Sequence, residues 1–398
     1  MSIPSGAGPG AGPGAGPRTG SAGPAGEVVV SGRLVLEGRV HPGRVVVRDG
    51  RIADVDLAAP DGDGPFITPG FVDVHVHGRG GHDAMGPEGA LDGMARALLR
   101  HGVTSFLPTS VTAPLAELAA FAERVRRWMP TAPDDGAAPL GFNLEGPFIN
   151  PARKGAQNPA HIRVPAEVST ADLEPLVDGL RITTIAPEIP GALDLIRGLR
   201  ARGVAASLGH SSATVEEGRA GYAAGARTTT HLFNAMTGVD HRAPGLAVAA
   251  LLEDDAFVEL IADGHHVRES VWPLILRAKP ADRLILVSDG VSFGGTTART
   301  GLLGGLEVVI DGDRCVLVDG GNLAGSVIAL DTAVRNLAHS GLGLPRAVAA
   351  ATREPLALLG VTDRGRLEPG LRADLVELDD NLHVRRVMRG GRWFAGPG

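Results

Sequence analysis

His75-Val76-His77 puts two imidazoles two residues apart inside an apolar run at 71–77. In an extended strand, residues two apart point to the same face, so both rings can reach one point. Other apolar or β-branched runs also end in groups that can do chemistry: Glu145 in 141–146, His210 in 204–210, His231 in 227–233 and Asp289 in 284–290. Four imidazoles and two carboxylates are the ligand types that hold Zn²⁺ or Fe²⁺. A lone His-x-His is a weak sign, and a carboxylate at a strand end often only caps the next helix. The weight lies in all six falling at the ends of strand-like runs. Glu188 and Asp263 are further polar groups in comparable places.

For these groups to meet, the fold must gather strand ends. Eight short runs recur at 71–77, 104–109, 141–146, 181–187, 204–210, 227–233, 258–264 and 284–290. Helix-like stretches separate them, among them 89–101, 115–128, 193–202 and 215–224. The alternation predicts an α/β fold, a (β/α)8 TIM-like barrel over 68–364, with the C-terminal ends of its strands on one rim. Strand-like segments at 27–30, 33–36, 44–48 and 51–55 precede it, with Asp49-Gly50 as a hairpin turn. Others follow at 374–378, 382–387 and 391–394. Residues 27–67 and 365–398 are therefore expected to form a small β-sandwich built from both chain ends. Residues 1–26 are almost wholly Gly, Pro, Ala and Ser, which predicts a disordered tail rather than a signal peptide.

The 398 residues carry a formal charge of -7 with no basic stripe, which argues against a nucleic-acid partner. An anionic ligand then needs local cations. Hydrophobic residues make up 43% and aromatics 4%, so small aliphatic side chains carry the packing. The single cysteine, Cys315, excludes an internal disulfide and fits a reducing cytoplasm. No apolar run reaches the roughly 20 residues that cross a bilayer, so no membrane span is expected.

Longer motifs surround the same residues. Gly141-Phe142-Asn143-Leu144-Glu145-Gly146-Pro147-Phe148-Ile149-Asn150 leads into Lys154-Gly155-Ala156-Gln157-Asn158-Pro159. His210-Ser211-Ser212-Ala213-Thr214, Thr230-His231-Leu232-Phe233-Asn234-Ala235-Met236 and His241-Arg242-Ala243-Pro244-Gly245 follow. Ile261-Ala262-Asp263-Gly264-His265-His266-Val267 and Asn322-Leu323-Ala324-Gly325-Ser326 complete the set. Together, from about Val28 to Phe394, they closely resemble the N-acetylglucosamine-6-phosphate deacetylases of the amidohydrolase superfamily. The Leu-Glu-Gly-Pro-Phe and His-Leu-Phe-Asn-Ala-Met stretches are specific to that resemblance.

The resemblance implies that Glu145, His210 and His231 hold a core divalent metal, Zn or Fe, and that Asp289 is the acid/base. It implies one or two ions per subunit, and the presence of both His75 and His77 favours two. Asn234, the Ala235 backbone N–H and Arg242 match phosphate-binding positions, with Arg242 supplied across a homodimer with shared active sites. Gln157 and His266 match sugar-pocket positions, and the backbone of Leu323, Ala324 and Gly325 matches a substrate contact in a Gly-rich segment that otherwise reads as a turn. The implied reaction is deacetylation of N-acetyl-D-glucosamine 6-phosphate, a small-molecule substrate, in the cytoplasm. N-acetylgalactosamine 6-phosphate, or another metal-dependent N-acyl amidohydrolase activity, stays open. Gln157 stands where some members have His, and Ser288-Asp289-Gly290 where Thr-Asp-Ala is common. Glu145 at the third-strand position, with no lysine at the equivalent strand ends, points away from hydrolases that bridge two metals with a carbamylated lysine.

Overall fold

The computed structural model of the chain describes residues 26–58 and 64–397. The tail expected over 1–26 lies outside them except for Gly26. The described chain opens with β1 (Glu27–Leu36), β2 (Arg39–Arg48), β3 (Arg51–Asp56) and β4 (Phe66–Pro69). Eight barrel strands follow: β5 (Phe71–Val76), β6 (Val103–Ser110), β7 (Phe142–Glu145), β8 (Leu180–Ile185), β9 (Ala205–Leu208), β10 (Thr228–Thr229), β11 (Phe257–Ile261) and β12 (Leu284–Val287). Each pairs in parallel with the next. A bridge between Val76 and Gly290 closes the ring, with Asp289 N–H donating to His75 O at 3.0 Å and His77 N–H to Gly290 O at 2.8 Å.

The helices wrap the barrel because each presents one apolar stripe. In α1 (Ala90–Arg100) the buried residues Leu91, Met94, Ala95, Leu98 and Leu99 recur at helical spacing. α2 (Leu115–Trp128), α3 (Thr170–Val177) and α4 (Ala192–Ala201) continue the layer. α5 (Val215–Ala224) starts at a capping box: the Thr214 side chain accepts from Glu217 N–H, and the Glu217 carboxylate accepts from Thr214 N–H. Among the described residues no helix is long and apolar enough to cross a membrane.

Inside the barrel the strands alternate differently. Val72 and Val74 of β5 belong to a buried apolar cluster with Ile285 and Val287 of β12 and with Leu356 and Leu359, while Asp73 and His75, which alternate with them, are fully buried polar groups. Buried polar groups also link strands that have one other strand between them. Asn143 Nδ2–H donates to Val74 O at 3.0 Å, and the hydroxyls of Thr184 and Thr230 lie 2.9 Å apart. This polar interior forms the floor under the rim.

After β12 the chain makes an excursion that the sequence analysis did not anticipate. β13 (Thr300–Leu303), β14 (Leu306–Asp311), β15 (Arg314–Leu317) and β16 (Leu323–Ser326) form a four-stranded antiparallel sheet. Its tight turns use Gly304-Gly305 and Gly312, all at positive φ. The Gly-rich segment at 318–325 leads into β16, and the expected substrate-contact residues Leu323 to Gly325 lie in that strand.

Finally, β17 (Leu375–Leu378), β18 (Val384–Arg389) and β19 (Arg392–Ala395) return to the N-terminal strands. Both chain ends thus share one seven-stranded sheet, in the order β19-β18-β17-β4-β1-β2-β3. It folds over its own core of Leu34, Val45, Val47, Ile52, Ile67, Leu375 and Met388. Residues of opposite parity, Val35, Val376 and Val387, pack into the barrel's outer core. Each such side chain, fully buried, contributes about 1.5–3 kcal/mol.

Candidate metal centre and its pocket

The strands stop before the apolar runs do. Of the six expected ligands, His75 and Glu145 lie in strands and His77 follows β5 directly. His210, His231 and Asp289 come two residues after β9, β10 and β12. Their φ values are 48°, 28° and 46°, and those of Phe233 and Ala235 are 76° and 51°. A non-glycine residue in this left-handed region costs of order 1–3 kcal/mol and persists only where its surroundings hold it. Here each chain turns sharply off its strand, which brings the side chain over the barrel mouth instead of continuing outward.

All six side chains converge there. His210 Nε2 and His231 Nε2 lie 3.1 and 2.9 Å from Glu145 Oε1, and 3.2 Å from each other. His77 Nε2 lies 3.3 Å from Glu145 Oε2 and 3.2 Å from Asp289 Oδ1. His75 Nε2 lies 3.5 Å from Glu145 Oε1 and 3.4 Å from Asp289 Oδ1. Two clusters result, His75–His77–Asp289 and Glu145–His210–His231, with Glu145 between them.

The hydrogen bonds behind the rings fix which nitrogen is bare. His210 Nδ1 donates to Arg153 O at 2.8 Å, and His77 Nδ1 donates to Thr109 O at 3.2 Å. A carbonyl only accepts, so each ring in its neutral form turns an unprotonated Nε2 toward carboxylate oxygens. His75 does the same: its Nδ1 donates to Glu259 Oε2 at 3.1 Å, and its buried Nε2 has no hydrogen-bond partner. Lone pairs facing lone pairs require a cation between them. An ion that holds N and O at about 2.0–2.2 Å spaces its ligands roughly 3–3.5 Å apart, as found here. The donor set fits a divalent metal, and the chain carries a divalent metal site.

The protonation equilibria point the same way. Burial alone would push His77 down, but hydrogen bonds to Asp289 and Glu145 outweigh it and raise its pKa to about 9. Burial likewise opposes the Glu145 anion, yet His75, His210 and His231 hold its carboxyl well below the usual range. The cluster attracts positive charge, whether proton or metal.

Two fully buried carboxylates lie behind the ligands. Glu259 Oε2 accepts from His75 Nδ1 and, at 3.2 Å, from His231 N–H, touching one member of each cluster. Asp73 accepts from His75 N–H at 3.3 Å, and burial raises its pKa to about 6. Sequence reasoning missed both. The signal was a single charged residue inside an otherwise apolar strand.

Above the cluster opens a cavity of about 360 Å³. Gln157, Asn234, Ala235, His266, Leu323 and Gly325 line it together with His77, Glu145, His210, His231 and Asp289. Gln157 is buried, and its amide is engaged: Oε1 accepts from Thr112 N–H at 2.7 Å, and Nε2 donates to Glu145 Oε2. It therefore orients a ligand as well as lining the pocket. Ala324 is buried in β16 behind the lining. Arg242 is not part of the lining; it is exposed and its Nε donates to His241 Nε2 at 2.9 Å. Arg153 and Asn322 line the pocket and were not singled out from sequence.

A parallel barrel with this His and carboxylate rim defines a metal-dependent hydrolase of carbon–nitrogen bonds. The chain belongs to the amidohydrolase family, whose model matches residues 66–394. It is 38% identical over 378 residues to the N-acetylgalactosamine-6-phosphate deacetylase of Escherichia coli O157:H7, covering 91% of this chain and 96% of that protein. It is 36% identical over 393 residues to the human N-acetylglucosamine-6-phosphate deacetylase, covering 92% and 93%. Among solved structures it is similar to the N-acetylglucosamine-6-phosphate deacetylase of Thermotoga maritima, with TM-score 0.86 and 33% identity over 92% of this chain and 100% of that one. A Mycobacterium smegmatis deacetylase variant, solved in complex with N-acetyl-D-glucosamine-6-phosphate, gives TM-score 0.86 at 32% identity, covering 93% and 99%.

Proposed function

We propose that this protein hydrolyses N-acetyl-D-glucosamine 6-phosphate to D-glucosamine 6-phosphate and acetate, a step of amino-sugar catabolism. The observation that carries the reading is the convergence of bare imidazole and carboxylate lone pairs at the floor of a polar pocket. Glu145, His210 and His231 hold one divalent ion, zinc or iron, and His75 and His77 hold a second. Bound there, such ions supply Lewis acidity toward water and toward the acetyl carbonyl.

The chain's own residues do the rest. Asp289 accepts a proton from the attacking water and returns it to the departing amide nitrogen. Its lowered pKa suits the first role: burial opposes the anion, but the hydrogen bond to His77 outweighs it. Asn234, the Ala235 N–H and Arg153 grip the phosphate end, and that remote contact positions the acetyl group. Gln157 keeps Glu145 in place, His266 contacts the sugar, and the backbone at Leu323 to Gly325 covers it.

Arg242 completes the phosphate site from a second subunit of a homodimer. Its exposure outside its own chain's pocket supports this, as does the 58% exposed Val239 beside it. Arg242→Ala is expected to raise KM for phosphorylated substrate by about 10- to 100-fold, the worth of a charge-assisted contact. At substrate well below KM, a mixed dimer pairing Arg242→Ala with Asp289→Asn keeps one whole site if the arginine acts in trans, and no whole site if it acts in cis. The reading includes a cytoplasmic location, which the lone buried Cys315 supports.

N-acetyl-D-galactosamine 6-phosphate is the second reading, favoured by the 38% identity to a deacetylase of that name. Acetate release from both epimers, each with and without its phosphate, tests the proposal. Fast release from the glucosamine phosphate alone supports the first reading. Preference for the galactosamine phosphate supports the second, and indifference to phosphate overturns both.

A further inference from the structure

Asp263 ends one of the strand-like runs, and the reaction described above leaves it without a role. It lies two residues beyond β11, and its side chain is 2% exposed. Oδ1 accepts from His265 N–H at 2.8 Å and from His266 N–H at 2.9 Å. Oδ2 accepts from His266 Nδ1 at 2.6 Å and from Ser326 Oγ–H at 3.1 Å. The first pair is an ordinary turn cap, of the kind aspartate makes after many strands. The second pair is not explained by capping.

That second pair reaches two parts of the site. With Nδ1 engaged by Asp263, Nε2 is the nitrogen His266 has left for the pocket it lines. Ser326 ends β16, whose Leu323 and Gly325 line the same pocket. The Ser326 backbone also brackets the acid/base: its N–H donates to Asp289 O at 2.8 Å, and its carbonyl accepts from Val291 N–H at 3.0 Å. One carboxylate thus joins the pocket histidine, the strand beside the pocket and the left-handed turn at Asp289.

We propose that Asp263 is a positioning residue for the deacetylation: it holds His266 as a cationic hydrogen-bond donor to the anionic substrate and ties that placement to Asp289 through Ser326. This rests on the function proposed above. The electrostatics agree with the geometry. Burial opposes both charges, yet the hydrogen bond with His266 holds Asp263 at about 2, and the bond to Asp263, with Asp289 further off, raises His266. The other charged groups nearby are His265, paired with Asp313 at 2.8 Å, and Glu269 beside Gly264. Because its pKa is raised, His266 contributes binding below that pKa and loses it as pH rises through it. Removing the Asp263 charge moves that loss to lower pH.

The test uses Asp263→Asn, His266→Gln, their double variant and Ser326→Ala, with acetate release measured across pH. Asp263→Asn and His266→Gln are each expected to raise KM about 10-fold or more, and the double variant to add little, because both remove one interaction. In Asp263→Asn the alkaline fall of kcat/KM should begin at lower pH, and the ¹⁵N resonances of the His266 ring should titrate at lower pH in the substrate-free enzyme. Ser326→Ala should lower kcat severalfold at nearly constant KM. Additive KM effects, or an unmoved His266 titration, overturn the inference. If Asp263→Asn does not fold, the milder Ser326→Ala still decides the link to Asp289, since an unchanged kcat there overturns it. The ring titration needs no substrate, so an enzyme inert toward acetylated amino-sugar phosphates would sink the functional reading separately.

Discussion

The barrel rim and the terminal sheet handle backbone strain and charge in opposite ways. Seven non-glycine residues among those described take positive φ: Asp49, His210, His231, Phe233, Ala235, Asp289 and Leu382. Asp49 and Leu382 sit in turns of the terminal sheet, where tight reversals ask for that conformation. The other five crowd the rim at the metal cluster and pocket. Charge divides by partner: the sheet's buried carboxylates, Glu377 and Asp374, are paired with arginines, Arg386 at 2.7 Å and Arg372 at 2.9 Å. In the sheet, Arg48 pairs with Glu27 at 2.6 Å and Arg44 with Asp56 at 2.9 Å, with both arginines well exposed, so each pair is worth about 0–1 kcal/mol. On the rim, Glu145, Glu259 and Asp289 are buried among histidines. A region built only for stability pairs its buried carboxylates with permanent cations, and has no reason to leave them among histidines and twist non-glycine residues around them. The rim does both because it must aim lone pairs at one place.

That contrast can be broken from either side. Asp289→Asn on the rim should cut turnover by at least about 100-fold while melting temperature barely moves; a variant with near wild-type turnover removes Asp289 from the mechanism. In the sheet, Leu34→Ala should do the reverse. It empties a fully buried site in the terminal core and should cost about 2–5 kcal/mol of stability in denaturant titration, with turnover per folded molecule unchanged.

Smaller effects sharpen the comparison. Glu259→Gln keeps the shape but removes the charge behind His75, and metal affinity measured by competition with a chelator should weaken about 10- to 100-fold. Unchanged affinity would make Glu259 a packing residue only. Asp49→Gly replaces a left-handed aspartate in a hairpin turn with the residue that adopts that φ freely, so stability should change by less than about 1 kcal/mol, with no effect on acetate release.

Much of this was legible in the sequence because it is periodic. The run at 71–77 with His75 and His77 two apart, the stripe in 89–101 and the Asp49-Gly50 turn all became the elements their patterns predicted. The ends were less legible. His210 and His231 looked like strand ends, yet β9 stops at Leu208 and β10 at Thr229, because an apolar pattern carries no mark of a left-handed turn. The sheet of β13 to β16 was missed although Gly304-Gly305 and Asp311-Gly312 are hairpin signals, since its short strands are partly exposed and weakly alternating. Arg153 was passed over because a charge in a loop reads as solvated, and only the fold shows that its carbonyl holds His210 and that its side chain borders the pocket. Arg242 stays outside the pocket of its own chain, and one chain's fold does not bring it closer.

The central claim is that the bare lone pairs on the rim bind divalent ions that deacetylation requires. The most direct measurement is ion content and acetate release on the same samples, from protein purified without chelator through stepwise metal removal and reconstitution, with anomalous scattering to locate the ions. The account predicts two ions per chain, one among Glu145, His210 and His231 and one beside His75 and His77, with acetate release lost on their removal and regained on their return. Full turnover by protein free of any bound ion would contradict it.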